Sequence, residues 1–233
     1  MRFGAGNVGR GLAVAALLAG AATACGDAEQ DAGPAKAGAG AGATATTGAK
    51  GTATAGVATA GGSVGADGSA CELPVTFDVA ESWKAKAVDS AAQRGDTGDE
   101  LVDELADALL HQGPVTMACE IDAKPAGKIG FLRVWTGEPG DADARTVLEE
   151  FVTAGSGASG AKYRTVETGG LTGAEVEYVT TSEALEETKK ERALAVTTPD
   201  GPVVLHLGGM DTEEHEAMLP AFELARSTLR ATG

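Results

Sequence analysis

Between residues 26 and 70 the chain holds 15 Ala, 12 Gly and 6 Thr, with no aromatic residue, Leu or Ile. Such a segment cannot bury enough apolar surface to offset the entropy lost on ordering it, so no core can form there. This reduces the 233-residue chain to three parts: a leader over 1–24, a flexible Gly/Ala/Thr-rich linker over 25–70 and one folded domain over 71–233. As a Gly-rich coil the linker spans on the order of 35–40 Å end to end, enough to hold a domain clear of a surface. Its Thr residues, among them Thr44, Thr46 and Thr47, would accept O-linked sugars in an exported protein; solubilising filler accounts for them more simply.

Arg2 and Arg10 precede an apolar run over 12–24. That is the layout of a secretory signal peptide, and the run is too short to cross a bilayer comfortably. It ends Ala22-Thr23-Ala24-Cys25-Gly26, which resembles a lipobox, the site where a bacterial cysteine is acylated and the leader removed just before it. Ala22 stands where a lipobox prefers Leu, and Ala22-x-Ala24 also suits an ordinary signal peptidase, which would release an unlipidated chain. A Cys placed after a small-residue run and before Gly-Asp has little other reason to be there, so lipidation of Cys25 is the expectation. Acyl chains, at ~0.8 kcal/mol per buried methylene, would hold the protein on the extracytoplasmic face of the cell membrane.

The leader carries only two of the 18 bases and none of the 34 acids, which leaves a formal charge of −18 on the rest. A field of that sign repels phosphate and anionic lipid headgroups and offers no counterion-release route to nucleic acid, so no nucleic-acid partner is expected. Within 71–233, 30 acids and 14 bases accompany enough Leu, Val and Ile for a core, and a domain of about 160 residues buries close to 70% of its unfolded surface. With Cys25 given to lipid, Cys71 and Cys119 form an even pair in an oxidising setting. A disulfide between them would stabilise the domain by up to ~4 kcal/mol; two buried free thiols are the alternative.

Periodicity predicts short strands over 75–79 and 84–88 around Trp83, then an amphipathic helix over 99–111 with Leu101, Leu105 and Leu109 on one stripe and Gly113-Pro114 ending it. Strands over 115–121 and 129–135 follow. A second helix, capped by Asp141, buries Val147, Leu148, Phe151 and Val152 and stops at Gly155. Strands over 163–167, 174–181 and 191–198 come next, the last turning at Pro199-Asp200-Gly201 into 203–207. A third helix begins at Asp211, with Glu214 three residues on, and Pro220 should kink or break it before it ends near Leu229. Hairpins clustered between helices give an α+β domain, an antiparallel β-sheet with helices packed on it.

The opening Val75-Thr76-Phe77-Asp78-Val79-Ala80-Glu81-Ser82-Trp83 is similar to the "F-x-V-P-x-G-W" start of PsbP-like domains, with Ala80-Glu81-Ser82 where that pattern has Pro-x-Gly. The whole chain resembles actinobacterial envelope lipoproteins of uncharacterised function. The resemblance implies a PsbP-like domain acting in docking or ligand binding, and no shared active site.

Motifs that carry chemistry fail on context. Gly4-Ala5-Gly6-Asn7-Val8-Gly9 and Gly155-Ser156-Gly157-Ala158-Ser159-Gly160 match G-x-G-x-x-G, but neither has the strand before and helix after that pyrophosphate binding needs. Gly61-Gly62-Ser63-Val64-Gly65 matches G-x-S-x-G without a strand-to-helix turn. His111, His206 and His215 are too scattered for a zinc site. Asp141-x-Asp143 starts like a calcium loop but continues with Arg145, Thr146 and Val152. No metal or other cofactor is therefore expected. Glu183, Glu186, Glu187, Lys189, Lys190 and Arg192 read as a solvated hairpin end or as the charged rim of a partner site. Two functions remain. A non-enzymatic binding or accessory module, contacting an envelope protein or an apolar small molecule, requires an exposed apolar patch or cavity near Trp83 or Trp135. An envelope hydrolase requires clustered perturbed groups in a cleft, with His206 beside a carboxylate and a Ser or Thr.

Overall fold

Two sequence runs, Ala193-Leu194-Ala195-Val196 and Val203-Val204-Leu205, are buried on both faces, and both faces of the sheet they centre are covered. The computed structural model describes residues 56–89, 104 and 107–232. The leader, Cys25, residues 25–55 of the linker and most of the helix expected over 99–111 lie outside these; residues 104 and 107–110 are helical. The strands are β1 (Ala60–Val64), β2 (Val75–Ala80), β3 (Lys84–Ala87), β4 (His111–Gln112), β5 (Val115–Asp122), β6 (Gly130–Thr136), β7 (Ala158–Thr168), β8 (Leu171–Ser182), β9 (Glu187–Thr198), β10 (Gly201–Gly209) and β11 (Arg230–Ala231). The longer helices are α1 (Ala144–Ala154) and α2 (Thr212–Thr228).

The main sheet runs β3-β5-β6-β10-β9-β8-β7, with β4 beside the start of β5, and every pairing is antiparallel. A small sheet, β1-β2-β11, is separate. On one face Leu132, Val134, Leu194, Val196, Val203, Leu205 and Leu207 pack with Met218 and Phe222 of α2 and with Phe77 and Trp83. On the other, Trp135, Val176, Tyr178, Ala195 and Val204 pack with Val147, Leu148, Phe151 and Val152 of α1. The domain is thus the expected α+β fold with an antiparallel sheet, and α1 and α2 cover opposite faces. Near-continuous apolar runs in β9 and β10 are what a doubly covered sheet requires.

A bulge at Ala118 sets the faces of β5. Met117 pairs with Trp135 but Cys119 pairs with Val134, so the strand gains a residue there. Val115 and Met117 consequently face α1, whereas Cys119 and Ile121 face α2. Buried Cys71 is bonded to buried Cys119, with Cα atoms 5.9 Å apart and a sequence separation of 48.

Several boundaries move. Residues 60–64 lie in what reads as linker, yet they form β1, pairing antiparallel with β2, and Val64 is buried at 2% exposure. Backbone pairing to a neighbouring strand, rather than side-chain burial, orders this Gly/Ala stretch. Gly65, at φ 103, ends it; a Cβ there would meet the Val75 carbonyl oxygen at 1.9 Å. The cap of α1 is Asp143, which accepts from the Thr146 N–H, and not Asp141. α2 runs unbroken through Pro220, because burial of Met218, Ala221, Phe222 and Ala225 against the sheet outweighs one missing N–H. Its cap is Asp211, accepting from the Glu214 N–H at 2.8 Å, as expected.

Candidate functional site

β10, β6, β5 and β3 lie side by side, and four of their residues fall in one cross-strand row: His206 opposite Arg133, Arg133 opposite Glu120, and Glu120 opposite Lys86. The bulge at Ala118 turns Glu120 to the same side as Met117. A second row, Trp135 and Met117, is apolar. With Val88 and with Leu109 and Leu110 from the helical turn above, these residues line a half-open cleft of about 460 Å³. Arg133 Nε donates to Glu120 Oε2 at 2.9 Å, and its guanidinium also lies 4.8 Å from the Phe131 ring. Trp135, 4% exposed, stacks edge-on against Phe151, and its Nε1 has no hydrogen-bond partner among the described residues.

At the inner end of the cleft His206 carries a small polar network. Its Nε2 lies 3.0 Å from Glu191 Oε2 and 3.1 Å from Tyr178 Oη. An ionised carboxylate can only accept, so we assign the ring proton to Nε2. Glu191 also meets Lys189 Nζ at 3.0 Å, and that amine donates to the Gly209 carbonyl. Burial raises the Glu191 pKa more than any other single influence does, but His206 and Lys189 together outweigh it and the carboxyl ends below its ordinary value. Tyr178 is driven the other way: burial, reinforced by Glu191, pushes its phenol far up and keeps it protonated. His206 therefore has its carboxylate, but the hydroxyl beside it belongs to a Tyr held neutral. No Ser, Thr or Cys is among the described residues lining the cleft.

The opposite face holds a denser ionic cluster. Glu175 is fully buried and accepts from Arg164 Nη2 at 2.6 Å, with Arg192 Nε and Arg226 Nε at 3.8 and 3.7 Å. Arg192 also pairs with Glu177 and Glu223, and Arg226 with Glu223. Three guanidinium groups face three carboxylates, a balance that ties β7, β8 and β9 to α2. The charged hairpin stretch is largely used inside the domain: Lys189 as above, Lys190 on Glu216 and Arg192 in this cluster.

Sequence reasoning placed both Trp residues as candidates; only Trp135 lines the cleft. Trp83 is 9% exposed and belongs to the α2-side core, because the turn at Ser82 aims it under the small sheet. His111 lies in β4 rather than closing a helix, 3.5 Å from the Thr116 hydroxyl. Glu191 and Tyr178 were missed; their only signal was a charged and a phenolic residue inside otherwise apolar strand runs. Among the described residues no helix is long and apolar enough to cross a membrane.

The domain is thus an antiparallel sheet covered on both faces, with an amphipathic cleft on the α1 side. The chain belongs to a family described as "Uncharacterised lipoprotein", which it matches over residues 41–229. It is also similar to the solution structure of cyanobacterial PsbP (CyanoP) from Synechocystis sp. PCC 6803, at 11% identity and a TM-score of 0.41, covering 68% of this chain and 87% of that one. No curated protein matches it significantly.

Proposed function

We propose that the protein is a lipid-anchored, extracytoplasmic binding or accessory module, held to the membrane through Cys25 and spaced from it by the linker, whose cleft beside Trp135 receives an apolar small molecule. The cleft carries this reading: about 460 Å³ lies within the range of small-molecule sites, walled by Trp135, Met117, Val88 and Leu110 with a few polar groups on the floor. Membership of a lipoprotein family supports the anchor. The His206–Glu191 pair at 3.0 Å favours a second reading, a hydrolase, and the lack of a nucleophile in the described lining weighs against it.

Intact-mass spectrometry on protein extracted from its own membrane tests the proposal. The expected mass is that of residues 25–233 plus acyl groups and minus two protons for Cys71–Cys119, with a further increment under native conditions for a retained ligand. A bare mass in both conditions would remove the anchor and leave the cleft without an occupant.

A further inference from the structure

We infer that the ligand of this cleft joins an apolar body to one anionic group, an inference that rests on reading the cleft as a binding site. In the floor row, Glu120 stands between two cations. It is bonded to Arg133 at 2.9 Å and lies opposite Lys86, and Lys86 has no ion-pair partner among the described residues. One carboxylate thus serves two positive charges and leaves one over, facing the open space. The domain around it has more than twice as many acids as bases, so a local cationic excess runs against the general field and concentrates attraction for an anion in the cleft. The neighbouring row, Trp135 and Met117, offers no hydrogen-bonding group to a ligand, since Trp135 Nε1 is buried away from the surface. A molecule lying across both rows meets a cation on one side and apolar surface on the other. Carboxylate, sulfonate and phosphate share the chemistry that Lys86 and Arg133 recognise.

Two fluorescent probes of similar shape test this on the full chain: anilinonaphthalene sulfonate, which is apolar and anionic, and phenylnaphthylamine, which is apolar and neutral. Both are expected to bind, the sulfonate more tightly. Lys86→Gln should weaken the sulfonate about threefold to tenfold, and Glu120→Gln, which removes the competing carboxylate, should strengthen it by a similar factor. Neither change should alter the neutral probe. Lys86 is exposed and Glu120 half-buried, and near-UV circular dichroism confirms that each variant is folded. Equal binding of the two probes, unmoved by either variant, would overturn the anionic preference, leave the cleft as a neutral apolar site and make Lys86 an edge-strand charge only. Binding of neither probe would overturn the cleft reading itself.

Discussion

His215 lies in α2 with its ring 3% exposed, and Nδ1 has no partner among the described residues. Burial lowers its pKa from 6.5 to about 4; Glu191 pulls it up, while Arg192 and His206 add to the fall. A histidine with a depressed folded pKa is neutral in the fold while its unfolded counterpart takes a proton. Stability is therefore full above pH 6.5 and is lost as pH falls toward 4, at about 1.4 kcal/mol per unit and about 3 kcal/mol in all. Glu191, also depressed, adds to the loss only below its ordinary value of 4.5. Urea unfolding at pH 7 and pH 4.5 should show this decline, and His215→Leu should flatten it; an equally steep decline in the variant would assign the effect elsewhere. Ser82 poses a different strain. It is exposed at φ 68, a left-handed conformation, at the position where the PsbP-like pattern has Gly. The side chain costs about 1 kcal/mol there, partly offset by the greater freedom a Gly has when unfolded. Ser82→Gly should raise stability by about 0.5 kcal/mol and Ser82→Val should lower it, read as opposite shifts in Tm.

Among elements, β1 separates what composition reveals from what pairing creates. Its residues, Ala60-Gly61-Gly62-Ser63-Val64, are exposed apart from Val64. Their order comes from backbone bonds to β2, which no window of side chains encodes. A chain beginning at residue 71, where composition changes, should accordingly be less stable than one beginning at 56, by about 3 kcal/mol for the lost ladder and the buried Val64. Equal unfolding midpoints would mean that β1 is decoration. Patterns with strong periodicity were legible: β6, α1 and β10 stand within two residues of their expected bounds, β9 ends where expected but starts four residues earlier, and the buried stripe Val147, Leu148, Phe151 and Val152 is as read. β5 shows the limit. Its burial alternates perfectly from Val115 to Asp122, yet the bulge at Ala118 moves Cys119 to one face and Glu120 to the other. A periodic reading has Glu120 pointing away from Met117, when both line the cleft.

At the scale of the whole molecule, the site was legible as residues and not as a place. Trp135 and His206 were each noticeable in sequence. That they share a cleft follows from the order β5-β6-β10, and that Glu191 and Tyr178 reach the same imidazole follows from β9 and β8 lying next to it. Trp83, equally noticeable, went to the opposite face. One covalent feature also governs how this fold carries load. The Cys71–Cys119 bond joins the chain just beyond β1 to a strand inside the main sheet. Tension entering through the amino-terminal side can peel β1 from β2, and at Cys71 it passes directly into β5, bypassing the residues between. Under single-molecule stretching, the 48-residue separation should be withheld from extension until the bond is reduced, a difference of about 170 Å in contour length between oxidised and reduced protein. The disulfide is then a mechanical stop, at which force applied from the amino-terminal side ceases to unravel the chain and loads the main sheet instead.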